Sequence, residues 1–123
     1  MSNAASEPWL VACLCAQWCR TCGDYEATFA AFAAERPELR CVWIDIEDES
    51  NALGDFALDV QNFPSLLVAC GSTLRFYGTL LPHASTLRRT VDAARQTALT
   101  TAVDGLDAAL IARLHGLGRV IGA

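Results

Sequence analysis

The chain has 123 residues with 14 acids, nine basic residues and a net charge of −5, and 53% of it is apolar. That length suits one domain, and that apolar share is enough for a core without staples. The acidic balance, the absence of lysine and the scatter of the nine arginines exclude a basic footprint for nucleic acid or anionic membrane. No run approaches the ~20 apolar residues of a membrane span. No basic segment followed by a cleavage site marks a signal peptide, so a cytoplasmic location is expected. Six cysteines in a reducing compartment read as thiols or a catalytic pair, not as a structural framework.

Residues 1–5 contain Ser2-Asn3-Ala4, which has the look of an expression scar, and they are set aside from fold reasoning. Leu10 to Ala16 is an apolar run of strand length, as a strand buried on both faces should be. A helix is predicted from Arg20 to Glu35, with Tyr25, Phe29 and Phe32 in its pattern and Pro37 stopping it. Cys41 to Ile46 is the next strand. Ser50 is expected to cap a short helix through Leu58 with Leu53, Phe56, Ala57 and Val60 inward. Leu66–Ala69 and Leu74–Tyr77, joined at Cys70-Gly71-Ser72 and ended by Gly78, read as a hairpin. A long helix then runs from Ala84 to Leu99 with Leu87, Val91, Ala94 and Ala98 as its stripe. The order β-α-β-α-β-β-α predicts an α/β fold with a central mixed sheet and helices on both faces.

Trp18-Cys19-Arg20-Thr21-Cys22 sits where the first strand ends and the first helix begins. Two cysteines so spaced make a redox pair. A sulfur at a helix N-terminus faces unpaired backbone N–H groups and the positive end of the macrodipole, which favour a thiolate. Cys19 is the sulfur so placed. Cys22, one turn later, lies against the protein and can close a disulfide with it.

The element order, the Trp-Cys-x-x-Cys opening the helix and Pro64 opening the hairpin 42 residues after Cys22 resemble the thioredoxin family over about residues 9–98. The resemblance implies a thioredoxin-like domain over 6–100 and a cis peptide at Pro64. It implies thiol–disulfide exchange on protein disulfides, with Cys19 as nucleophile and Cys22 as resolving thiol. Trp18, Arg20, Thr21, Phe63, Pro64 and Cys13 would support the site. No cofactor is needed, since electrons pass through sulfur from an unidentified donor.

Departures from the family pattern are informative. The family's first strand and helix have no room here, so four strands are expected. Arg20-Thr21 replaces Gly-Pro; Cys13 replaces a buried acid six residues before the first cysteine; Trp43 stands near the place of its lysine partner; Ala27 replaces a kinking proline. Arg20 should favour the Cys19 thiolate, blunted by an Asp24 one helical turn away.

Each of these residues also has a plainer role. Cys13 and Cys15 share one face of a strand and read first as small buried hydrophobes. The sharper reading makes Cys13 a third redox sulfur that exchanges with Cys22. Phe63 suits a substrate groove or the core equally. Cys41 and Cys70 read as core thiols, and His83 and His115 as surface or cap residues. Two rival functions remain: a non-catalytic thioredoxin-fold binding module, and a zinc domain held by Cys13, Cys15, Cys19 and Cys22, which would distort the buried strand. Beyond residue 100, Leu106, Leu110, Ile111 and Leu114 form a helical stripe within 104–114, broken by Gly116 and Gly118. Such a stripe needs cover. The 101–123 extension is expected to pack on its own domain or at a homodimer contact.

Overall fold

The apolar run becomes strand β1 (Trp9–Cys15), and side-chain alternation divides it between two cores. The computed structural model describes residues 8–16, 18–60, 63–81, 83–96, 103 and 105–121. Val11, Cys13 and Cys15 enter one buried cluster, while Leu10, Ala12 and Leu14 enter the other. Cover on both faces is what allows an unbroken apolar strand. Helix α1 (Arg20–Glu35) has the bounds the sequence predicts and buries Cys22, Tyr25, Phe29 and Phe32 in the first cluster. Strand β2 (Arg40–Asp45) runs parallel to β1, with Cys13 opposite Trp43.

The predicted helix over 50–58 is two short helices, α2 (Ser50–Leu53) and α3 (Phe56–Asp59), because Gly54 takes φ +62° between them. Glu49, not Ser50, is the N-cap of α2. Strands β3 (Ser65–Cys70) and β4 (Thr73–Thr79) form the hairpin, with β3 antiparallel to β1. Gly78 lies inside β4 instead of ending it. Helix α4 (Ala84–Gln96) buries Leu87, Val91 and Ala94 beside α1; the predicted residues 97–99, with Ala98, lie outside the described residues.

The tail supplies two elements. Helix α5 (Ala108–Leu114) starts later than predicted because Asp107 caps it, accepting from the Leu110 N–H at 2.8 Å. Its Leu110, Ile111 and Leu114, with Leu106 before it, are buried in the second cluster against the face formed by Leu10, Leu14, Val42 and Leu67. Strand β5 (Arg119–Val120) then pairs antiparallel with β2. The sheet order is β4-β3-β1-β2-β5, so it has five strands and not the four expected. The extra strand comes from the tail, whose return along the free edge of β2 was not legible in a two-residue apolar remnant. Tail helix and tail strand thus cover one face of the sheet and the edge beside β2. Among the described residues no helix is long and apolar enough to cross a membrane.

Candidate active site

Cys19 is the N-cap residue of α1, with extended backbone (φ −84°, ψ 113°) and no side chain capping the helix. Its own N–H returns to the Ala16 carbonyl at 3.0 Å, which holds the turn between β1 and α1. The sulfur is partly exposed and packs on the first core cluster. With no side-chain oxygen on the first-turn N–H groups, an anion at this position has donors to meet. Arg20 and Thr21, next in line, are exposed. Among the described residues no ion pair joins Arg20 to Asp24, so the expected blunting contact is not made. Both side chains extend into solvent, where such a pair contributes little.

Trp18 projects outward, 68% exposed, and meets Phe63 edge-on with ring centroids 5.4 Å apart. Phe63 is half-buried and packs on both clusters, so it serves the core and the rim together. The Phe63–Pro64 peptide is cis, and Pro64 is buried at the start of β3. Trp18, Cys19, Phe63 and Pro64 therefore gather at one end of the sheet.

Cys22 is 2% exposed, and its sulfur is bonded to Cys15, not to Cys19. The bond present in this structure thus differs from the expected Cys19–Cys22 pair, and Cys15 is more than the small buried hydrophobe it first reads as. The physical reason is position. Cys15 is the last residue of β1 on the face toward α1, and its Cα lies 5.9 Å from that of Cys22, within the span of a disulfide. Cys13, two residues deeper, is ~6–7 Å further from the strand end and stays a thiol. Its sulfur sits 3.7 Å from that of Cys15, and complete burial pushes its pKa far up. The third sulfur at Cys22 is thus Cys15, with Cys13 behind it. The signal that could have found it is the strand end itself, since the last inward residue before the turn is nearest the helix's first turn.

The bridge also takes two of the four sulfurs that a zinc site would require. Among the described residues no group of three His, Cys, Asp or Glu could hold a metal. Cys41 is buried, its pKa raised to about 11 by burial and by Glu38, whereas Cys70 is only half-buried at the end of β3. His115 caps α5, and its Nε2 lies 2.6 Å from the Gly71 carbonyl; His83 precedes α4 with its carbonyl accepting from the Leu87 N–H. A cavity of about 410 Å³ opens beside Cys22, lined also by Ala16, Gly23, Glu26, Trp43, Asp45, Asp48, Glu49, Gly118 and Arg119. Its wall is acidic, and the tail closes one side through an Arg119–Glu26 ion pair at 2.7 Å.

No protein-family model matches the chain, and no curated protein matches its sequence. Solved structures do resemble it. Thioredoxin from Fasciola hepatica superposes with a TM-score of 0.61 at 21% identity, over 70% of this chain and 80% of its own. Spinach chloroplast thioredoxin f gives 0.62 at 20% identity, over 76% and 81%. The germline-specific thioredoxin Deadhead of Drosophila gives 0.61 at 16% identity, over 73% and 84%. At such identities the likeness speaks for architecture. With its mixed sheet, flanking helices and Cys-x-x-Cys at the start of α1, this chain has a thioredoxin-like fold.

Proposed function

We propose that the chain is a thiol–disulfide oxidoreductase acting on protein disulfides. The observation that carries this reading is a partly exposed Cys19 at the uncapped N-terminus of α1, one turn from a Cys22 already engaged in a disulfide. The Cys19 thiolate attacks one sulfur of a substrate disulfide. The S–S bond breaks, a substrate thiolate leaves, and a mixed disulfide forms on Cys19. The Cys22 thiolate then attacks the Cys19 sulfur and expels the second substrate thiolate, and the protons of the two enzyme thiols pass to the products. The substrate leaves with two more electrons, and the protein keeps one disulfide. A dithiol donor reverses the second change and closes the cycle.

The surrounding residues suit this chemistry. Trp18 and Phe63 form an apolar rim on which a peptide segment can lie, and the Phe63 backbone, just before β3, is placed to pair with an extended substrate. Arg20 adds positive charge next to the nucleophile, with no ion pair among the described residues. A reducing, cytoplasmic setting fits thiols such as Cys13 and Cys41. The reductase assay on insulin, with dithiothreitol as electron source, tests the reading. The wild-type chain should accelerate insulin reduction, and Cys19→Ser should lose at least about 100-fold, the scale of removing a nucleophile. A wild type no faster than dithiothreitol alone, with the rim residues still binding protein, would leave only the binding-module alternative.

A further inference from the structure

We propose that Cys15 is a second resolving thiol, so that oxidation of this protein ends in a buried Cys15–Cys22 disulfide and returns Cys19 as a thiol. The inference rests on the oxidoreductase reading above and adds a step to it. Cys22 belongs by sequence to the Cys19 pair, yet its sulfur is bonded to Cys15. The bonded pair is 1% and 2% exposed, while Cys19 keeps access to solvent. Cys22 therefore stands between an accessible sulfur and a sequestered one.

The added exchange is balanced. After Cys22 has displaced the substrate, the protein holds a Cys19–Cys22 disulfide. The Cys15 thiolate attacks the Cys22 sulfur, the Cys19–Cys22 bond breaks, and Cys19 leaves as a thiolate, taking up the proton Cys15 gave up. No electron is gained or lost in this step. It moves the disulfide inward. Cys22 follows Cys19 by one helical turn and borders a cavity, so its sulfur has open space beside it on the tail side. Cys19 departs at the N-terminus of α1, where no side chain occupies the first-turn backbone N–H groups. Cys13 is placed to assist: with Cys15 in the bridge, only Cys13 has a proton to give across their 3.7 Å contact. Cys13 itself lies two residues deeper along β1, further from Cys22, and remains a thiol beside the bridge.

The functional consequence is a protein whose nucleophile is present in both redox states. The oxidised form keeps a reactive surface thiol, and its disulfide is shielded from direct attack by bulky thiols. Electrons return through Cys19, which attacks Cys22 and releases Cys15.

The test oxidises the fully reduced chain with excess insulin, quenches in acid, alkylates all remaining thiols and maps the bonds by peptide mass spectrometry. Cleavage after Arg20 separates Cys22 from the peptide carrying Cys13, Cys15 and Cys19, and fragmentation of that peptide assigns the linked sulfur. A Cys15–Cys22 link with alkylated Cys19 is the expected product. In Cys15→Ala the same treatment should yield Cys19–Cys22, with complete loss of Cys19 labelling. In Cys19→Ala the Cys15–Cys22 link should fail to form over the same time. A Cys19–Cys22 end product in the wild type overturns the inference while leaving the oxidoreductase reading intact. Formation of Cys15–Cys22 at an unchanged rate in Cys19→Ala overturns it as well, since the bridge would then arise without the exchange. Absence of any protein disulfide after insulin treatment overturns the oxidoreductase reading itself. The three wild-type outcomes do not depend on either variant folding.

Discussion

Tyr25 carries a hydroxyl that costs stability where it stands. The side chain is 2% exposed in the first core, and its oxygen has no hydrogen-bond partner among the described residues. Burial, with the adjacent Cys13 adding to it, pushes its pKa upward, so the group stays neutral. An unpartnered buried hydroxyl forfeits about 1–3 kcal/mol of hydration. Tyr25→Phe keeps the ring and should raise the urea midpoint or leave it unchanged; a loss above about 1 kcal/mol would show that the hydroxyl has a partner in solution. Legibility at this scale was uneven. Cys19, Cys22 and Pro64 could be read because a spacing and a neighbouring element marked each. Cys15 was marked only by its place at the end of β1, and its pairing depends as well on how the helix sits over the strand end. The family pattern instead drew attention to Cys13, six residues before Cys19 but buried below the site.

Among the elements, the C-terminal end of α1 and the turn after it are joined to α4 by surface ion pairs. Arg36 grips Asp92 with both nitrogens at 2.7 and 3.3 Å, Arg88 meets Glu35 at 2.8 and 3.0 Å, and Arg95 meets Glu38 at 2.9 Å. Arg75 and Arg95 also stack on Trp9, tying the start of β1 to the same corner. The Arg36 hydrogen bond lowers the Asp92 pKa, and the Arg88 hydrogen bond lowers that of Glu35. Glu38 is lowered by its own backbone N–H and then by Arg95. Because the folded values lie below the ordinary 3.8 and 4.5, this stabilisation is complete above them and is lost as pH falls through the folded values. Stability should therefore drop on acidification below about pH 5, and Asp92→Asn should make that drop shallower. At pH 7 the same change should cost no more than about 1 kcal/mol, since Asp92 is half exposed and solvent screens the pair. An Asp92→Asn curve parallel to the wild type in urea denaturation from pH 7 to 3 would contradict this. The helix bounds of α1 were readable from periodicity and Pro37. The break at Gly54 was not, because a short amphipathic pattern looks the same whether one helix or two carry it.

At the scale of the whole molecule, the tail completes the fold. Leu106, Leu110, Ile111 and Leu114 cover the second face, each contributing roughly 1.5–3 kcal/mol of burial before ordering costs. The need to cover that stripe could be read from sequence, whereas its place on the sheet depends on long-range docking. Gly118 is the hinge of that docking. It takes φ +72°, and a Cβ there would lie 2.6 Å from the Trp43 carbonyl oxygen. Gly118→Ala should destabilise by at least about 1–2 kcal/mol through the backbone alone and loosen β5 from β2, visible as faster amide exchange at Ile121. Unchanged exchange and stability would mean the tail does not close on β2. Its position also matters for the site, because Gly118 and Arg119 wall the cavity beside Cys22. The central claim remains that Cys19 is the nucleophile and Cys22 releases what it captures. Mixing reduced Cys22→Ser with insulin and reading intact mass after acid quench tests this most directly. A persistent insulin adduct mapped to Cys19, absent from the wild type at the same time, is the predicted result; no adduct, or one on another cysteine, would contradict it.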